Sequence, residues 1–477
     1  MVRARGRSLF LRGVALDSLM VGLSFFRRRS GRAAAIALCL IVSSGYAPIG
    51  ALLHATLLRS TPTANSHILQ PPETIRLVFS EAIVPELSQI SLIDSDGKAR
   101  LLEVTTDPHD VHVLVGRVGS ISAGEYKVAW RILSADGHPV GGSFSFFLQS
   151  GSPGTVATPG SITALIPRDS GTRANASASS STETSAEIKT SPVLASILRG
   201  TGLGALMAGV GLLFFGVTAG ERRKLMPRTI VVRLIAIGAA LLAAHMIAWM
   251  YDISLTGSLS ESFSVSLFGS TPGKIEATRV AFALLALWAI ALARRETLAL
   301  IFGGACLLVS GAVGHPAAVQ PYLSVPTKMA HLLSASLWLG GLLWLVWLSQ
   351  CDEIACRTEA RRVSGAALIA VIAIFLTGSL ETVLFLNSPG DLIHSNYGRL
   401  VVAKAVGLAI LVGFGVYNRF RLLPRIDEPG AAGSLSSSVR SEIAVVIVVI
   451  LLGGFLAYTP TPPKPQSLLS AFTGRSQ

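Results

Sequence analysis

Charge is scarce in this chain. Charged residues make up 14% of its 477 positions and hydrophobic ones 51%, a balance too apolar for an ordinary soluble domain. Membrane helices have to account for the excess. Acidic residues are fewest, 27 against 40 Lys and Arg, for a net charge of +13. That charge would point to nucleic acid if it covered one soluble face. The basic residues instead sit between long apolar runs, so no nucleic acid is expected as a partner and a lipid bilayer is. Cysteine is nearly absent as well. Cys39, Cys306, Cys351 and Cys356 are scattered, and none falls between 54 and 190, so no disulfide framework is implied. The spacing in "CDEIAC" matches no usual zinc or redox motif. The lack of a Walker motif speaks against ATP-driven pumping, and the lack of C-x-x-C-H against covalently attached haem.

What is present falls into blocks. Residues 1–53 run from the basic "FFRRRSGR" into the apolar "AAAIALCLIVSSGYAPIGA", the pattern of an export signal or a retained N-terminal anchor. The opening nineteen residues are long for a signal, so Met20 is an alternative start. Residues 54–148 hold short alternating segments such as "TIRLVFSE", "VHVLVGRV" and "EYKVAWRIL", divided by Gly, Pro, Asp and Ser. They predict an all-β sandwich or barrel. Residues 149–192, with "SGSPGTVATPG" and "SASSSTETSAE", read as a flexible tether.

Between 193 and 460 lie eight apolar runs, near 194–219, 229–251, 277–293, 297–314, 327–349, 363–386, 399–418 and 439–458. They predict an all-α polytopic membrane bundle of about eight helices, followed by a tail over 461–477. Arginine and lysine crowd the loops after the first, third, fifth and seventh runs. An inner-membrane protein with the β domain on the periplasmic side fits that distribution. This topology puts His245, His315, His331 and His394 at or near the periplasmic side.

Ionisable groups at membrane depth are costly and tend to work there, so these four histidines and Glu381 are candidates for metal ligands or an ion path. Met246, Met250 and Met329 add thioethers that suit Cu(I). Glu442 is placed at the inner interface beside Arg440. In the β domain, "LSADGHPVGG" sets Asp136 and His138 two apart. In extended backbone both side chains leave on the same side, where a carboxylate and an imidazole suit Cu(II). His67, His109 and His112 form a weaker accessory set, for which solvated loop and strand histidines are the plainer reading.

The segments "HATLLRSTPTANS", "IRLVFSEAI" and "GEYKVAWRILSADGHPVGG" resemble, in order and spacing, the periplasmic copper-binding CopC family, over about 54–148. The stretches "GHPAA", "KMAHLLSASLWLGGL", "TGSLET" and "YGRLVVAKAVGLAILVGFGVYNRFRLLP" resemble the inner-membrane CopD family, over about 193–460. The resemblance implies a cupredoxin-like β domain and a Cu(II) site of His54, Asp136 and His138, with Glu81 assisting. In that family the mature chain begins at the histidine. Leu53 before His54 departs from the usual small residue at the cleavage point. The family's methionine-rich Cu(I) site is missing, since no methionine occurs between 54 and 190, so Cu(II) alone is expected in the β domain.

The function expected is copper homeostasis or resistance: Cu(II) is captured outside and passed as Cu(I) or Cu(II) through the bundle, as import, by a protein that is not an enzyme. Other periplasmic copper proteins are further expected partners. The alternative is a haem- or copper-binding redox membrane protein without transport, which a Soret band would reveal.

Overall fold

The computed structural model describes residues 57–134, 137, 139–149, 192–253, 264, 270–318 and 320–462. The export segment with His54, the residues Asp136 and His138, the tether and the tail lie outside them. Two compact units are present, one of strands and one of helices.

The first unit is a sandwich of nine strands: β1 (Leu57–Thr61), β2 (His67–Ile68), β3 (Thr74–Phe79), β4 (Ile83–Ile93), β5 (Ala99–Leu101), β6 (Glu103–Asp107), β7 (Asp110–Arg117), β8 (Gly124–Ser134) and β9 (Pro139–Leu148). A four-stranded sheet has the order β1-β3-β7-β6 and a five-stranded sheet the order β2-β9-β8-β4-β5. Alternation decides which side chains face inward. Ile75, Leu77 and Phe79 of β3 meet Val128, Trp130 and Ile132 of β8 in one core, and the Phe79 and Trp130 rings lie edge to face at 5.0 Å. Gly142 stands opposite Trp130 in the β8–β9 ladder. A Cβ there would lie 2.7 Å from the indole, so only glycine lets the ring cross β9.

Among the described residues the helical unit has eight long helices: α1 (Pro192–Thr218), α2 (Arg228–Ile253), α3 (Thr271–Ala291), α4 (Glu296–Ser310), α5 (Pro321–Cys351), α6 (Glu353–Phe385), α7 (Asn396–Tyr417) and α8 (Ala431–Leu456). They fall on the eight apolar runs. Six of them, all but α3 and α4, are long and apolar enough to cross a membrane. α3 carries Lys274, Glu276 and Arg279 in its first half, and α4 has 15 residues.

Small residues let α1 pack at the centre, as is usual where lipid removes the hydrophobic drive between helices. At its crossing with α5, a Cβ on Gly340 would fall 2.0 Å from the Gly211 carbonyl carbon. Its Gly200 abuts Gly454 of α8 in the same way.

Helix directions alternate. The starts of α1, α3, α5 and α7 therefore gather with the ends of α2, α4, α6 and α8, as the His331–Thr377 contact at 2.9 Å illustrates for α5 and α6. His245, His315, His331 and His394 all belong to this end. The opposite end holds the arginine-rich turns, where Arg222 pairs with Glu359 at 3.2 Å and Trp347 donates to the Leu225 carbonyl at 2.6 Å.

Candidate metal centre

In the β unit, β8 ends at Ser134 and β9 starts at Pro139, with Leu133 opposite Pro139. Gly137 in the connection has φ +90°, and its N–H donates to the Ser134 carbonyl at 2.9 Å. The glycine between Asp136 and His138 thus sits in a tight turn, where the two-residue spacing had predicted extended strand. A left-handed φ explains why that position is glycine.

Glu81 lies two residues beyond the end of β3. The Ser134 hydroxyl donates to Glu81 Oε2 at 2.6 Å, which fastens this carboxylate to the last residue of β8. Leu57 at the start of β1 pairs with Phe79, two residues before Glu81. His54 is three residues upstream of Leu57, so the chain can carry it no farther than about 10 Å from there. The topology therefore brings the start of β1, Glu81 and the facing ends of β8 and β9 to one end of the sandwich. Imidazole and carboxylate donors without a thioether are the set that suits Cu(II).

The accessory histidines are not brought together. His67 stacks on Phe147 of β9, with centroids 4.7 Å apart. His109 and His112 belong to the β6–β7 hairpin of the other sheet. The His109 N–H donates to Asp107 at 2.9 Å, and the His112 ring meets Asp110 at 2.9 Å. That backbone N–H, with the Arg76 guanidinium, holds the Asp107 carboxyl below its ordinary range. The histidines thus serve their own hairpin.

In the bundle, two histidines converge on consecutive residues beyond α8. The His245 ring faces the Tyr458 hydroxyl, and His315 Nε2 donates to the Thr459 carbonyl at 2.8 Å. Arg279 donates to His245 Nδ1 at 3.2 Å and pairs with Glu276. An arginine cannot accept, so the His245 proton sits on Nε2, toward Tyr458. A metal at His245 has to displace one of those two partners.

His331 is arranged differently. The Thr377 hydroxyl donates to the Ala373 carbonyl at 2.6 Å and so accepts from His331 Nδ1 at 2.9 Å. The lone pair is thereby fixed on Nε2, the hydrogen-bond support that ligating histidines use. One helical turn away, Lys328 pairs with Glu381 at 3.5 Å, and Glu381 Oε1 is buried without a partner.

The remaining candidates are more ordinary. His394 is exposed, and its Nδ1 donates to the Gly390 carbonyl at 2.8 Å. Met329 packs on Gly311, Met246 packs on the bundle core and Met250 is buried. Among the described residues, no three His, Cys, Asp or Glu side chains are grouped as a metal ion would need.

Sequence reasoning missed several members of these clusters. Glu276, Arg279, Lys328 and Tyr458 lie inside or at the edge of runs read only for their apolar content. The signal was available: ionisable residues within membrane-length helices are rare and face the bundle interior. Glu442, read at the inner interface beside Arg440, is buried at 2% exposure and accepts from Trp338 and Asn418, partners that the sequence did not announce.

Residues 57–149 match the CopC domain family, and residues 357–456 match the copper resistance protein D family, CopD. The chain is 26% identical over 449 residues to the copper transport protein CutJ of Bacillus subtilis (strain 168), covering 88% of this chain and 76% of that one. It is 31% identical over 129 residues to copper resistance protein C of Xanthomonas campestris pv. juglandis, covering 23% of this chain and 91% of that one. Against copper resistance protein D of Pseudomonas syringae pv. tomato the identity is 23% over 176 residues, covering 34% and 57%.

Proposed function

The chain belongs to the CopC family through its β domain and joins to it a CopD membrane domain, and from that premise we propose that it captures Cu(II) on the β domain and imports copper through the bundle. It is a copper-handling, multi-pass membrane protein. The proposed Cu(II) ligands are His54, Asp136 and His138, with Glu81 assisting. The observation that carries this reading is the Ser134–Glu81 bond. It holds a carboxylate against the last residue of β8, two residues beyond the Phe79 that pairs with Leu57 at the start of β1.

The histidine-bearing end of the bundle is the outer one in this reading, because the arginine-rich turns at the other end obey the positive-inside pattern. The β domain then faces the periplasm, where other copper proteins can load it. Copper passes to His331 first, the imidazole with a prepared Nε2 lone pair. His245, His315, Glu381 and His394 accompany it on the path. Met246, Met250 and Met329 take copper only once it is reduced to Cu(I). The protein acts as a binder and carrier, not as a catalyst.

Cellular copper accumulation tests the reading. Cells with His138→Ala or His331→Ala are expected to accumulate copper on the order of tenfold more slowly at limiting copper than cells with the wild-type chain. Unchanged accumulation in both would defeat the import claim and leave Cu(II) binding intact.

A further inference from the structure

Glu442 has a setting unlike that of any other acid in the bundle. It lies roughly 16 Å along α8 from Ala431, where the polar first turns of the helix give way to the apolar run, and it is 2% exposed. Its Oε1 accepts from the Trp338 indole N–H at 3.0 Å and its Oε2 from Asn418 Nδ2 at 3.0 Å. The Ser438 hydroxyl donates to Asn418 Oδ1 and so turns the amide N–H toward the carboxylate. Neither donor carries charge, and no described cation reaches the group.

The charged groups on the helices packed against α8 are engaged elsewhere. Arg199 of α1 donates to the Val313 carbonyl, and Lys328 of α5 pairs with Glu381. Glu359 of α6 takes Arg222 and Arg362, while Arg419 beyond α7 donates to Ser364. The Lys404 ammonium of α7 lies beside Gly453, roughly 16 Å farther along α8. Arg440, on α8 itself, makes no contact with it.

An ionised carboxylate buried in protein without a counter-cation is strongly disfavoured. Two hydrogen-bond donors aimed at its oxygens favour the ionised form all the same. The group is therefore held between two states, neutral with a proton or ionised beside a cation.

We infer that Glu442 exchanges a proton for copper: it carries the proton while the bundle is empty and releases it as a copper ion enters, so the two cations move in opposite directions. The step is charge-balanced and needs no redox partner, since one O–H bond breaks as one monovalent copper arrives. This inference rests on the transport reading.

The test uses the full-length protein in liposomes with a trapped pH-sensitive dye, the membrane potential clamped with potassium and valinomycin, and Cu(I) kept reduced outside. The lumen is expected to become alkaline as copper enters. A lumen one pH unit more acidic than the bath should raise copper accumulation by about tenfold, as a one-for-one exchange requires. Glu442→Gln should lose both responses.

Trp338→Phe removes a donor to the ionised form, so the proton is held more tightly and the midpoint of the exchange against pH moves upward. A merely structural role would lower the amount of active protein without moving that midpoint, so this variant decides the matter if Glu442→Gln fails to assemble. Wild-type vesicles that take up copper with no proton signal and no response to the gradient would overturn the inference while leaving transport standing. So would Glu442→Gln vesicles that keep both responses, or a Trp338→Phe midpoint that stays in place. If wild-type vesicles bind Cu(II) but take up no copper under any gradient, the transport reading falls and takes the exchange with it.

Discussion

Replacing His138 with alanine is expected to lower the Cu(II) affinity of the full-length protein by at least about 100-fold. Groups that only support a ligand cost 10 to 100-fold when removed, so loss of an imidazole ligand belongs at or beyond the upper end of that range. The fold is not expected to suffer. His138 lies in the turn between Ser134 and Pro139, while the core runs through Ile75, Leu77, Phe79, Val128, Trp130 and Ile132. Substitutions away from a core usually change stability by no more than about 0.5 kcal/mol.

The pH dependence makes this prediction sharper. An imidazole must be neutral to bind a metal, so below its ordinary pKa of about 6.5 each ligating histidine costs about tenfold in affinity per pH unit. Affinity therefore falls as pH drops, and His138→Ala should flatten the slope by one proton. Competition titration against a chromogenic chelator from pH 5 to pH 8 reads both quantities. Glu81→Gln should cost about tenfold and leave the slope nearly unchanged. A His138→Ala protein with wild-type affinity and slope would remove this residue from the site.

How much of this was legible in the sequence depended on what each signal measures. Hydrophobic period and length located the eight helices and strands β3, β7 and β8 of the sandwich, because burial against lipid or against a partner sheet sets those patterns directly. "TIRLVF" reads as β3, with Ile75, Leu77 and Phe79 inward, for that reason. The D-x-H spacing did not yield its geometry, since the φ of +90° at Gly137 comes from closing the β8–β9 hairpin, a fact about two paired strands.

Long-range pairings were equally hidden. Nothing near Glu81 in sequence announces Ser134, and nothing near Glu442 announces Trp338, which lies 104 residues away. Arg279 could have been noticed as a charge within a membrane-length helix. Its pairing with His245 could not, because only the fold brings these residues of α2 and α3 together.

Gly340→Ala is expected to abolish assembly of the membrane unit although it adds a single methyl group. That methyl would fall 2.0 Å from the Gly211 carbonyl carbon and 2.3 Å from its Cα. Both are backbone atoms, so no rotamer change relieves the clash, and α1 and α5 have to separate. α1 also packs on α4 and α8, and on α2 at Gly202 and Gly209, so a displaced α1 opens those interfaces too. Destabilisation beyond about 4 kcal/mol is therefore expected. It would be read as loss of heat-resistant protein in detergent extracts and of copper accumulation by cells. Gly413→Ala on α7 is the control. No atom lies within 4 Å of the added methyl, and alanine favours a helix over glycine by about 1 kcal/mol. It should leave abundance unchanged or raise it.

The β unit has its own core, so whatever Gly340→Ala protein survives should bind Cu(II) with wild-type affinity and pH slope. Capture without accumulation in that variant would separate the two steps of copper handling in one chain. Gly340→Ala protein as abundant and heat-resistant as wild type would mean that α1 and α5 do not cross at these two glycines.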